Sequence, residues 1–171
     1  MNYAWAEKLA LAIKSKAPDE TASVEVLKFA LITLFNGTIS LVGCLIVGAL
    51  TGKLKETLIV LCAFAVMRFL AGGYHFRSPV TCFLFSVASL SALPHIPVPA
   101  GSHLYLSLAS IVLLLLFAPS DIKGKTRIPE KYFLYLKLLS ILLVCGNIFL
   151  ESELLLKAFF TASLLTINFR R

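Results

Sequence analysis

The chain has 171 residues, of which 58% are hydrophobic and 15% charged, and its formal net charge is +7. A soluble domain carries about a quarter charged residues, so a soluble enzyme or nucleic-acid-binding module is set aside. The basic excess instead matches the Lys/Arg bias of cytoplasmic loops in membrane proteins. No Asp, Glu, Lys or Arg occurs in Phe29–Leu50 or in Ser78–Ser120, and a hydrocarbon core needs about 20 helical residues to cross. The expected fold is all-α. It is a polytopic membrane helical bundle of about six transmembrane or re-entrant helices, with an N-terminal amphipathic interfacial helix. One domain covers 1–171, with the interfacial helix at 1–16 and the bundle at 26–169.

The first segment, Asn2–Lys16, places Trp5, Leu9, Ala12 and Ile13 on one helical face, with Glu7, Lys8, Lys14 and Lys16 around the rest. Its scattered charges argue against a cleaved signal peptide, and Ala17-Pro18 ends it. Val26–Leu50 is the longest span. Gly37, Ser40, Cys44, Gly48 and Gly52 form a stripe of small residues there, which marks a close-packing face within the bundle or between two copies. The next segment, Thr57–Ala71, reaches only ~22 Å at 1.5 Å per residue, short enough to be re-entrant. Further segments follow at Pro79–Leu93, His103–Ala118, Tyr132–Leu150 and Leu154–Phe169. Between them lie an uncharged 94–101 turn, a charged loop from Asp121 to Lys131 and the acidic corner Glu151-Ser152-Glu153.

The positive-inside rule puts the 121–131 loop and Arg170-Arg171 in the cytoplasm, with the 94–102 and 151–153 corners outside. Counting back, the 68–82 region faces the cytoplasm. Lys53 and Lys55 then fall outside, against the rule. His95 and His103 lie in the opposite corner, as loop or interface residues. All four cysteines sit in or beside apolar segments without CxxC or metal-ligand spacing, so no metal or other cofactor is expected.

The polar crowding at Arg68…Gly72-Gly73-Tyr74-His75-Phe76-Arg77-Ser78-Pro79…Cys82 stands apart from this apolar background. Desolvated polar groups are costly in a membrane unless they are paired or used. Ser78 reads as a helix N-cap and Pro79 as the first helical position, which puts Cys82 in the opening turn or just past it. The helix dipole and Arg68 or Arg77 would favour a thiolate, while an apolar surround opposes it. His75 is the candidate base, and Gly72-Gly73 gives the backbone freedom to fold its imidazole back toward sulfur. Ser78 is a cap that could also orient the histidine or serve as an oxyanion contact. The competing reading makes His75, Arg68 and Arg77 an interfacial collar reaching for headgroups, with Cys82 as helix packing.

The block from Arg68 through Gly72-Gly73-Tyr74-His75 and Ser78 to Cys82, with Ala118-Pro119-Ser120-Asp121 before a basic loop, resembles the accessory gene regulator B (AgrB) family of Gram-positive bacteria. Phe76 departs from the small residue common after the histidine. The resemblance implies a cell-membrane cysteine endopeptidase with its site facing the cytoplasm. Its substrate would be an AgrD-like quorum-sensing propeptide, and it would act as a homodimer in the lipid bilayer. Carried over by position, Cys82 is the nucleophile and His75 the general base. Removal of the peptide's C-terminal tail would leave a thioester on Cys82, which an internal Cys or Ser resolves into a thiolactone or lactone. Arg68, Arg77, Lys123, Lys125 and Arg127 would pair with tail carboxylates, with Gly72, Gly73, Ser78 and Asp121 in support. No nucleic-acid partner is implied. A peptide exporter without peptidase activity, or a structural membrane subunit, are the alternatives.

Overall fold

The computed structural model describes residues 4–18, 21–74, 78–99, 101–120 and 129–167. Within them the helices are α1 (Ala4–Lys16), α2 (Val24–Leu50), α3 (Leu54–Ala71), α4 (Pro79–Ala92), α5 (Ser102–Phe117), α6 (Phe133–Leu150) and α7 (Glu153–Leu164). Short 3-10 turns occupy Leu93–His95 and Glu130–Tyr132. No strand occurs among the described residues, which agrees with the all-α expectation. Two helical segments, Val24–Leu50 and Glu130–Leu150, are long and apolar enough to cross a membrane.

α3 is the axis of the bundle. Val60, Leu61, Ala63, Met67, Leu70 and Ala71 are all buried, and the helix packs against α2, α4, α6 and α7. α7 supplies the closest partner surface through Leu156, Ala158, Phe159 and Ala162. Alternating small and large residues let the two helices interlock at short range. Where the sequence predicts α3 to begin at Thr57, the helix already starts at Leu54. It therefore has 18 residues, about 27 Å of rise.

α3 also links the two ends of the bundle. At one end His95 Nε2 lies 3.2 Å from Thr51 Oγ1, and Lys157 Nζ donates to Ile96 O at 2.9 Å. There Val98, Pro99 and His103 line a cavity of about 490 Å³ with Glu151 and Glu153. At the other end the termini of α3, α5 and α7 meet.

The outer faces of the helices are apolar. Phe29, Leu34 and Leu50 on α2 and Leu142 and Phe149 on α6 are exposed by 64, 69, 83, 64 and 88%. Contiguous exposed apolar surface of this extent needs a partner or a lipid phase. The small-residue stripe of α2 divides along its length. Cys44 and Gly48 are buried, and a Cβ on Gly48 would stand 2.7 Å from Thr57 Oγ1, so this half packs inside the bundle. Gly37 has nothing within 4 Å of such a Cβ. Gly52 lies beyond the helix at φ 68 and belongs to the turn.

α1 folds back on the N-terminal half of α2. Ala6 and Ala10 are fully buried, because an alanine face permits close helix approach. The expected apolar face, Trp5, Leu9 and Ala12, stays open to the surroundings. The hairpin is pinned by the Trp5–Phe35 ring contact, 4.8 Å between centroids, and by Lys28 Nζ donating to Glu7 Oε2 at 2.6 Å. That hydrogen bond and the Lys28 charge hold the Glu7 carboxyl below its usual range. A carboxylate with a depressed folded-state value stabilises the docked helix above its unfolded value of about 4.3 and loses that contribution as pH falls through the lower one. Trp5 is the chain's one tryptophan, so its emission reports α1 docking directly. Because the pair is exposed, its contribution is small. Emission is therefore expected to hold steady from pH 7 to 5 and to shift only slightly below about pH 4, and Glu7→Gln should remove that slight shift.

Candidate active site

The C-terminal end of α3 is built by a residue that reaches past its own helix. Arg68, one turn from the end, donates from Nη1 to Gly72 O and from Nη2 to Tyr74 O, both at 3.0 Å. A guanidinium presents its donors in a planar fork and can hold two carbonyls at once, which an ammonium cannot match. A cation here also meets the negative end of the helix dipole.

Glycine is required inside this clamp. Gly72 has φ 67 and Gly73 φ 133, conformations that side chains with a Cβ avoid. A Cβ at Gly73 would stand 1.8 Å from Arg68 Nη1 and 2.8 Å from Leu165 O. The double glycine therefore does more than confer flexibility. It gives the guanidinium and the α7 terminus room to close on the backbone.

Two other helix ends complete the turn. Ser120 N donates to Ala71 O and Gly73 N donates to Ser120 O, both at 2.9 Å, while Tyr74 N donates to Leu165 O at 2.7 Å. Gly72 and Ser120 thereby form an isolated parallel bridge, next to the cis Ala118–Pro119 peptide. Sequence reasoning singled out Ala118-Pro119-Ser120 without its contacts and missed Leu165 altogether. Both contacts run through backbone atoms, so side-chain identity carries no direct signal of them.

α4 begins as the sequence predicts. Ser78 is the N-cap, its Oγ accepting from Thr81 N at 3.5 Å, and Pro79 occupies the first turn. Cys82 is the fourth residue of the helix, half-buried, with a free thiol. Its amide donates to Ser78 O at 3.0 Å. One and two turns further on, Ser86 and Ser89 are also half-buried, so the predicted polar face persists.

Arg68, Gly72, Gly73, Ser78 and Cys82 thus belong to the chain on either side of three residues, His75, Phe76 and Arg77. Those three lie outside the described residues, as do Asp121, Lys123, Lys125 and Arg127. Ser120, the last described residue before that loop, is bonded to Ala71 and Gly73 through its backbone. Among the described residues no group of three or more His, Cys, Asp or Glu side chains has the arrangement of a metal site.

A helical bundle with bilayer-length apolar segments, apolar outer faces and a cysteine in the opening turn beside a rigid glycine turn defines a membrane protein with a thiol-bearing end. The chain belongs to the Accessory gene regulator B (AgrB) family, whose model matches residues 6–169. It is 35% identical over 95 residues to an AgrB-like protein of Halalkalibacterium halodurans. That match covers 53% of this chain and 48% of the relative, so the aligned region spans about half the relative's length. No solved structure matches the chain.

The clamp has a direct test. Gly73→Ala and Arg68→Lys are each expected to lower turnover at this site by ~100-fold, from misplacement of reacting groups. Helix content by circular dichroism should stay intact. Normal turnover in Gly73→Ala would show that the turn tolerates displacement of the guanidinium.

Proposed function

We propose that the protein is a membrane cysteine endopeptidase that matures an AgrD-like quorum-sensing propeptide. The observation that carries this reading is a half-buried free thiol, Cys82, in the first turns of α4, eight residues along the chain from the Tyr74 carbonyl that Arg68 holds. The next residue in the chain is His75, and family membership supports assigning it as the base.

The chemistry follows from these groups. His75 takes the thiol proton, and the Cys82 sulfur attacks the carbonyl at the junction of core peptide and tail. A C–S bond forms, and the carbonyl π electrons move to oxygen. Collapse of that oxyanion breaks the C–N bond, and the tail's new amine leaves with the proton from His75. The core peptide remains as a thioester on Cys82. Attack by an internal Cys or Ser of the peptide then releases a thiolactone or lactone and returns the thiol. A site that excludes water favours this exchange over hydrolysis.

The same reading assigns a homodimer in the cell membrane of a Gram-positive bacterium, with the site on the cytoplasmic side. Arg77 and the loop cations Lys123, Lys125 and Arg127 capture acidic groups of the propeptide tail, with Asp121 at the loop's start. Arg68, with five donors to offer, also holds two backbone carbonyls besides its expected pairing with the tail.

A peptide exporter would need polar side chains lining a passage. Instead, Lys137 Nζ donates to Leu115 O at the end of α5, Lys157 serves Ile96 O, and Asn147 Nδ2 serves Ser152 O at 3.1 Å. These three groups are each committed to a helix end or a turn, which favours the peptidase reading.

Intact-mass analysis of membranes co-expressing the chain with a candidate propeptide tests it. Wild type should yield a covalent adduct on Cys82 and a released tail. Cys82→Ala should abolish both, and His75→Ala should slow them by about 10²–10⁴-fold. Tail release that persists in Cys82→Ala would overturn the assignment. A triple Lys123→Ala, Lys125→Ala, Arg127→Ala variant should need more propeptide for half-maximal rate while the rate at saturation holds. An unchanged requirement would remove the loop from substrate capture.

A further inference from the structure

Three contacts fix how α2 lies against α4. A Cβ on Gly43 would stand 3.0 Å from Val87 Cγ2. Cys44 Sγ lies 3.9 Å from Ser86 O, and Thr51 Oγ1 lies 3.2 Å from His95 Nε2. The partners advance together in both segments, so the two helices run parallel with a nearly constant register. One turn back from the pair 44 and 86 puts Ser40 level with Cys82. Two turns back puts Asn36 level with Ser78. Asn36, Ser40, Gly43, Cys44 and Val47 recur at three- and four-residue steps, so Asn36 and Ser40 share the face that α2 turns toward α4.

Both are half-buried, and neither side chain makes a hydrogen bond among the described residues. Other helical hydroxyls do bond back to their own helix, as Thr38 does to Leu34 O, Ser89 to Phe85 O and Ser163 to Phe159 O. An amide left unpaired within an apolar segment costs free energy, and polar groups at such depth are by default functional. In parallel helices both side chains lean toward their own N-termini alike, so Asn36 stands one turn, roughly 5.4 Å, beyond Cys82. A carbonyl bonded to the sulfur and its hydrogen bond to an amide would bridge that span.

We infer that Asn36 is the oxyanion donor of this site, with Ser40 beside it on the same wall. The inference rests on the proposed attack by Cys82. When the Cys82–carbonyl bond forms, negative charge develops on the carbonyl oxygen, and the Asn36 side-chain N–H donates to it. As the oxyanion collapses, the C=O bond reforms, the leaving group departs with its electron pair, and the amide is released unchanged. Pro79 carries no N–H, and the Thr81 and Cys82 amides already donate to Ser78 Oγ and Ser78 O, so the first turn of α4 offers the oxyanion little of its own.

Two small reagents separate this role from a structural one, using the full chain in lipid vesicles with Cys62→Ala and Cys145→Ala as background. Acylation of Cys82 by 4-nitrophenyl acetate passes through an oxyanion, and alkylation by iodoacetamide does not. Asn36→Ala and Asn36→Leu should each slow nitrophenolate release by ~10²-fold, the usual effect of losing one oxyanion donor, while alkylation keeps its rate. Thr38→Ala, two residues along on an exposed face, should alter neither. Equal slowing of both reactions would make Asn36 a packing residue, and no change in acylation would overturn the inference outright. Neither outcome touches the peptidase assignment, which stands or falls on tail release in Cys82→Ala.

Discussion

The site depends on one guanidinium holding two carbonyls beyond the end of its own helix. A helix terminus leaves its last carbonyls without partners, and in a low-dielectric surround each such group is costly. Arg68 removes that cost for Gly72 and Tyr74 together. Charge-assisted bonds of this kind contribute about 1.5–3 kcal/mol each, enough to select one path for a backbone that two glycines would otherwise leave free. The path then fixes where α3 hands the chain on to α4. This end of the molecule is therefore ordered by a single cation.

The surrounding bundle supports this arrangement from three directions. α3 brings the arginine and the glycines, α5 brings Ser120 through the 118–120 segment, and α7 brings the Leu165 carbonyl. All three helices converge at the same end of the molecule, opposite the cavity flanked by His103, Glu151 and Glu153. α2 stands to the side, packed on α4 through glycine and cysteine positions. The small-residue face of α2 closes where Cys44 and Gly48 meet the bundle and opens at Gly37, near the level of Cys82.

Much of this was legible in the sequence because the signals were local. Long uncharged stretches marked the helices, and Ser78-Pro79 marked the start of α4 to the residue. The crowding of Arg68, Gly72, Gly73 and Cys82 marked the end where the site is built. What escaped were features decided by tertiary contact. The start of α3 shifted because Leu54, beside two lysines, gains nothing from hydropathy alone. The apolar face of α1 stays open as expected, but its seam with α2 at Ala6 and Ala10 escaped because alanines count little as apolar residues yet permit the closest approach. Arg68 looked like a surface cation because nothing in its own segment announces two backbone carbonyls within reach. Ser120 and Leu165 were invisible as partners because they act through main-chain atoms, which every residue possesses. His75 and the basic loop remain known through sequence and family alone.

The bond from Tyr74 to Leu165 has a temporal meaning as well as a spatial one. During synthesis the glycine turn, Cys82 and the histidine are all made in the first half of the chain. The carbonyl that completes the turn belongs to the final helix, more than eighty residues later. A chain still emerging from the ribosome therefore holds the glycine turn without the carbonyl that fixes Tyr74. The turn's full set of backbone hydrogen bonds forms only once the end of α7 has been made and packed.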